Sequence, residues 1–246
     1  MTEHTPRVAV VTGGSRGIGR AVVRRLAADG FSVVVGYAGN TAEADAAVAE
    51  VTAAGGQAVA VQADVADETA VAAMFDAAEQ FTGAVDVVVH AAGQMALAPV
   101  ADLDLDDLDA TLRTNVRGTF AVAQQAVRRL GRGGALVLFS TTVLGRPLPG
   151  YGAYAASKGA VEALTTVLAK EVRGREVTVN AVAPGPVATD LFLRGKSREL
   201  IDRLAAEPPM ERLGTPEDIA AVVSFLAGPD GRWVHGQTLR ANGGLA

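Results

Sequence analysis

The segment Arg7-Val8-Ala9-Val10-Val11-Thr12-Gly13-Gly14-Ser15-Arg16-Gly17-Ile18-Gly19 decides the fold. Its apolar run from 7 to 12 reads as a strand covered on both faces, and a helical pattern over 17–29 begins at once after the glycines. Glycines there let the backbone turn tightly and approach a pyrophosphate, while unpaired N–H groups at the helix start supply partial positive charge. The spacing is GxxxGxG rather than GxGxxG, but strand before and helix after are the context a dinucleotide loop requires. Gly13, Ser15, Arg16, Gly17, Ile18 and Gly19 are therefore candidate cofactor contacts.

Outward from this unit the same alternation continues. Short, nearly all-apolar runs over 32–37, 57–62, 85–90, 135–140, 177–182 and 237–240 read as further strands. Ala-rich segments over 41–54, 67–82, 104–130, 152–173 and 215–228 read as helices. Asn40 or Thr41, Asp67 and Thr215 stand where N-caps belong, the last followed by Pro216 and Asp218. Alternating strands and helices predict one α/β domain over 1–246, a doubly wound Rossmann-type sheet of seven mostly parallel strands with helices on both faces. The connection over 184–213, with prolines at 184, 186, 208 and 209, is too long for a plain tether and reads as a substrate lid over 188–213.

Composition excludes whole classes of function. With 246 residues, 49% of them hydrophobic and 20% charged, the chain has ample core and is not disordered. Its longest apolar stretches fall far short of the roughly 20 residues a membrane helix needs. Met1 to Arg7 carries no secretory signal pattern. Zero cysteines exclude disulfides and thiol chemistry and suit a cytoplasmic address. A net charge of −5 argues against nucleic acid as partner. His4, His90 and His235 are too scattered to suggest a metal site.

Charge near the second strand addresses the cofactor. A carboxylate there would bond the ribose hydroxyls of NAD and repel the 2′-phosphate of NADP. The stretch Gly36-Tyr37-Ala38-Gly39-Asn40-Thr41 has none, the first acid being Glu43, and Arg16 offers a forked guanidinium to a phosphate. NADP(H) is expected over NAD(H), with Tyr37 and Asn40 beside it.

Tyr154 and Lys158, at i and i+4, project from one face of a predicted helix. A free phenol has a pKa of about 10, so proton transfer near neutrality calls for an adjacent ammonium to favour phenolate. Only Lys158, Lys170 and Lys196 among the 22 basic residues are lysines, which makes this placement unlikely by accident. The TGxxxGxG loop at 12–19, Asp64-Val65, Ala91-Ala92-Gly93, Asn115, the Tyr154/Lys158 pair and Pro184-Gly185 occur in order, each placed against its predicted strand or helix. With them the whole chain resembles the short-chain dehydrogenase/reductases.

That resemblance implies that Asp64 and Val65 hold adenine, that Gly93 packs near the cofactor ribose, and that Val187 and Thr189 meet the carboxamide and phosphates. It also implies that Ala91, Ala92, Pro184 and Gly185 are cofactor contacts. Lys158 would bond the nicotinamide ribose, Asn115 would hold a water leading from the lysine to solvent, and Tyr154 would exchange the proton as hydride passes to or from a carbonyl carbon. The family's orienting serine lies 13 positions before the tyrosine, which here is Thr141. Counting back from Gly145 lands on Thr142 instead, and Ser140 fits neither count. His90 replaces an asparagine common in the family, as either a titrating group near the cofactor or a hydrogen-bonded strand-end histidine.

The substrate expected is a small carbonyl or alcohol compound, of 3-oxoacyl type or another small ketone. A sugar or steroid alcohol, or a non-catalytic NADP-binding role, are the other readings. The apolar lid residues Leu191, Phe192, Leu193, Leu200, Ile201, Leu204 and Met210 would enclose it. A homotetramer or homodimer is implied, with the small-residue helices near 104–130 and 152–173 at one interface.

Overall fold

The computed structural model describes residues 7–246. His4 and the N-terminal segment before Arg7 lie outside the described residues. Strand β1 (Val8–Thr12) enters the glycine loop and helix α1 (Gly17–Ala28) leaves it. Then follow β2 (Ser32–Tyr37), α2 (Thr41–Ala53), β3 (Ala58–Gln62), α3 (Glu68–Thr82) and β4 (Val85–His90). The second half holds α4 (Leu105–Leu112), α5 (Gly118–Arg129), β5 (Leu130–Phe139), α6 (Gly152–Glu171) and β6 (Thr178–Pro184). It closes with α7 (Asp190–Leu193), α8 (Arg198–Ala206), α9 (Pro216–Ala227) and β7 (Thr238–Ala241).

The strands form one sheet in the order β3-β2-β1-β4-β5-β6-β7, and every pairing is parallel. Alternate residues of each strand feed two cores. Val8, Val10, Val88 and Leu136 join Phe75 of α3, Val122 of α5 and Leu168 of α6 on one face. Ala9, Val11, Val87 and Val137 join Leu26 of α1, Val51 of α2 and Ile219 of α9 on the other. A strand buried on both sides must be apolar at every position, which is why these runs do not alternate. The predicted caps are in place: Asn40 accepts from Glu43 N, Asp67 from Thr69 N and Ala70 N, and Thr215 forms a capping box with Asp218.

Three expectations need correction. The helix expected over 104–130 is present but not uniformly α: α4 and α5 run on through a π-helical turn, Arg113–Arg117, in which Gly118 N donates to Arg113 O. The extra residue in that turn rotates the side chains that follow by about 100° while the backbone stays helical. Second, β5 begins at Leu130, five positions before the predicted start at 135, because a register shift between Val85 and Val87 admits the glycine-rich stretch after Leu130. Third, Ser140, read as the end of that strand, lies just beyond it. Strand order reverses between β1 and β4, so the loops leaving these two strands diverge and open a crevice at their carboxyl ends.

Candidate active site

The glycine loop lines one side of that crevice. Gly13 has φ +67°, and a Cβ there would meet Ala92 N at 2.8 Å, so only glycine lets the loops after β1 and β4 touch. Thr12 joins the same two loops: its carbonyl accepts from Ala91 N at 3.2 Å and its hydroxyl from Ala92 N at 3.3 Å. The N-cap of α1 is Arg16, which makes no side-chain cap, whereas Asn40, Asp67, Asp104 and Thr215 all cap their helices. The first-turn N–H groups of α1 are thereby left for an anion. Ser15 is buried, Arg16 is exposed, and Gly17 faces the Thr189 methyl across the crevice, 3.5 Å from where its Cβ would lie. The open backbone cradle and uncapped helix fit a dinucleotide pyrophosphate.

Beyond β2, Tyr37 is buried with its hydroxyl donating to Thr41 Oγ1 at 3.3 Å, and Asn40 is committed to capping α2. After β3, Asp64 accepts from Ala66 N at 2.9 Å and pairs with Arg113 at 2.8 Å. Those contacts, the backbone one foremost, hold its carboxyl below the usual carboxylate range. The Val65 side chain packs into the core against Gly118, so only its backbone is free to face a ligand.

A cleft opens over the other half of the crevice. Its walls include Ile18, Ala91, Gly93, Thr141, Thr142, Tyr154, Lys158, Pro184, Gly185, Val187 and Thr189, all predicted site residues. The segment over 188–213 contributes Leu191, Phe192 and Leu204, while Leu193, Leu200, Ile201 and Met210, expected to enclose the substrate as well, do not line this cleft, Met210 being exposed. Sequence reading missed Arg146, Leu148 and Tyr151, and with them Gln94, Met95, Glu207 and Leu245, among the residues that line the wall. The Pro- and Gly-rich turn over 145–150, just before Tyr154, was the available signal for the first three.

At the floor, the three hydroxyls of 140–142 part company. Ser140 Oγ donates to Glu162 at 2.6 Å, and Thr142 Oγ1 donates to Ala183 O at 3.2 Å while accepting from Asn242 Nδ2. Thr141 Oγ1 accepts from Val143 N at 3.3 Å and shares the cleft wall with Tyr154. Burial pushes the Tyr154 phenol up to about 12, the Thr141 hydroxyl opposing the shift. Lys158 is not among the groups that shift this phenol. The ammonium donates to Phe139 O at 2.8 Å and sits 5.9 Å from the tyrosine ring centroid, and its own pKa is pushed down by burial to about 8. Desolvation is the leading cause of both shifts, and neither spacing nor helix phase reveals it.

Behind the lysine, Asn115 is fully buried in the π turn. Its Oδ1 accepts from Gln94 N at 2.9 Å, and its Nδ2 donates to Gln94 O at 2.8 Å and Ser157 Oγ at 3.0 Å. Asn115 thus ties the loop after β4 to the first turns of α6, beside Gly93, whose added Cβ would lie 3.6 Å from Lys158 Nζ. His90 takes the strand-end geometry: Nδ1 lies 2.8 Å from Thr12 Oγ1, and Nε2 is buried without a partner among the described residues. Burial, and secondarily Lys158, lower its pKa to about 3. Among the described residues no three His, Asp or Glu gather as metal ligands, and no helix is long and apolar enough to cross a membrane.

Comparison with known proteins agrees with this architecture. Residues 13–246 match the family model described as enoyl-(acyl carrier protein) reductase. The chain is 42% identical to an NADPH-dependent aldehyde reductase-like chloroplastic protein of Arabidopsis thaliana, covering 97% of this chain and 93% of the relative. It is 40% identical to a short-chain type dehydrogenase/reductase of Picea abies, over 97% and 92% of the two chains. A Burkholderia cenocepacia short-chain dehydrogenase solved in complex with NADP superposes with a TM-score of 0.92 at 40% identity, covering 97% of each chain.

Proposed function

The chain belongs to the short-chain dehydrogenase/reductase family of oxidoreductases, and on that footing we propose that it catalyses NADP(H)-dependent hydride transfer between the nicotinamide and the carbon of a small carbonyl compound or secondary alcohol. The convergence of Thr141, Tyr154 and Lys158 on one cleft beside an uncapped helix N-terminus carries this reading. Ketones of 3-oxoacyl type and aldehydes are the substrates it favours, the latter supported by the name of the Arabidopsis relative.

NADP(H), when bound, supplies or accepts the hydride. Gly13, Gly17, Ile18 and Gly19 would hold its pyrophosphate, Arg16 its 2′-phosphate, and Lys158 its nicotinamide ribose. Absence of a carboxylate between Gly36 and Thr41 supports NADP(H) over NAD(H). In reduction, Tyr154 and Thr141 donate hydrogen bonds to the carbonyl oxygen and stabilise the charge that develops there. A phenol held near 12 keeps its proton at neutral pH and is ready to deliver it as the oxygen becomes an alkoxide. Lys158 provides a nearby ammonium to favour phenolate once the proton has left, and Asn115, itself held by Gln94, supports the first turns of α6 through Ser157, whose hydroxyl donates to Tyr154 O. A homotetramer or homodimer is part of the same proposal, supported by the exposed Phe120 on α5 and Val167 on α6.

Tyr154→Phe tests the mechanism. It removes only the transferable proton, so kcat/KM for an aldehyde or ketone should fall about 10²- to 10⁴-fold while NADPH affinity is kept. Turnover at the original rate would contradict it.

A further inference from the structure

Among the described residues, the cleft is lined by three charged side chains, Lys158, Arg146 and Glu207. Lys158 is on the floor, bonded to Phe139 O. The other two face each other at the substrate end: Arg146 lies in the turn that follows Thr142–Leu144, and Glu207 immediately follows α8 in the lid. Arg146 Nη1 donates to Glu207 Oε2, and the two side chains are 36% and 25% exposed. Around them the wall is apolar, with Leu148, Leu191, Phe192, Leu204 and Leu245.

We propose that Glu207 is a specificity-determining residue: by occupying Arg146 it leaves the substrate end of the cleft without a free cation, so the site takes uncharged carbonyl compounds and rejects those carrying a carboxylate or phosphate. This rests on the carbonyl-reducing function proposed above. An anion entering the cleft must either break the Arg146–Glu207 pair or shed its water beside a carboxylate, and both cost free energy that a neutral substrate avoids. The Arg146 hydrogen bond, with a smaller contribution from Arg203 one turn earlier, holds Glu207 below the usual carboxylate range, so it stays ionised near neutrality. Exchanging that carboxylate for an amide would free Arg146 for bidentate capture of an incoming carboxylate.

The test compares methyl 4-formylbenzoate with 4-carboxybenzaldehyde as NADPH-dependent substrates of the full chain. Wild type should favour the ester by roughly tenfold or more in kcat/KM. Glu207→Gln should shrink that preference about 10- to 100-fold, through a lower KM for the acid, and Glu207→Gln combined with Arg146→Gln should lose the gain. An unchanged preference in Glu207→Gln, an equal change in the double variant, or a wild type indifferent to the charge would overturn the proposal. If neither aldehyde is reduced, the functional reading fails, and calorimetric titration of benzamide and benzoate still decides the charge rule. Wild type preferring benzamide, with the preference narrowed by Glu207→Gln alone, upholds it, and equal preferences in the two proteins overturn it.

Discussion

His90 is a buried imidazole that gives acid sensitivity to the strand end beside the cofactor crevice. Its pKa falls from the ordinary 6.5 to about 3 on folding, chiefly through burial. Between those values the unfolded chain takes up a proton that the folded chain refuses, so this contribution to stability is fully present above pH 6.5 and lost as pH falls towards 3. The slope is about 1.4 kcal/mol per pH unit. Urea denaturation of wild type and His90→Asn at pH 7.5 and pH 5 should therefore show a smaller acid loss in the variant, whose amide can still accept from Thr12. Arg16 gives a second prediction at this scale. It is exposed and forms no ion pair among the described residues, so Arg16→Ala should weaken NADPH binding by about tenfold or more and leave NADH binding nearly unchanged, as read by nucleotide fluorescence titration. Equal losses for the two nucleotides would sink the assignment of Arg16 to the 2′-phosphate.

Among the helices, α9 illustrates what local sequence encodes well. Thr215, Pro216 and Asp218 announce its start, and the structure returns a reciprocal capping box in which Asp218 Oδ2 accepts from Thr215 N at 2.8 Å. Thr215→Ala should cost about 1 kcal/mol in chemical denaturation with little change in KM. The α4–α5 region illustrates the opposite. Its residues satisfy one continuous helical pattern, and the π turn at Arg113–Arg117 becomes visible only with its hydrogen bonds. Asn115 is carried on that irregular turn and reaches Gln94 and Ser157, 21 and 42 positions away. The residue was legible as a candidate, whereas its positioning device was not, because the π turn is defined by a backbone bond from Gly118 N to Arg113 O and by partners far away in the chain, which composition does not encode.

For the whole molecule, the all-parallel sheet buries both faces and leaves its helices to meet solvent or other copies. Phe120 on α5 is 53% exposed and Val167 on α6 51% exposed, apolar side chains on the two helices proposed to meet another copy. Light scattering on the full chain should give a mass that is a multiple of the protomer, and Phe120→Glu should lower it. A monomer at micromolar concentration would contradict self-association. The lid belongs to this scale as well. Charge counting over its sequence finds acids and bases in balance, but Arg146 and Glu207, 61 positions apart, are what meet at the cleft.

The sequence by itself determined the doubly wound fold, the glycine loop and the Tyr154/Lys158 pair, because strand burial, helix period and backbone-turn chemistry are short-range properties that residue order encodes. Tertiary structure alone decided that Ser140 bonds Glu162 and Thr142 bonds Ala183 O while Thr141 shares the cleft wall with Tyr154, and that Lys158 bonds Phe139 O. It also decided that the tyrosine pKa rises while the lysine pKa falls. Those outcomes depend on desolvation and on partners brought in from distant parts of the chain, and neither follows from spacing.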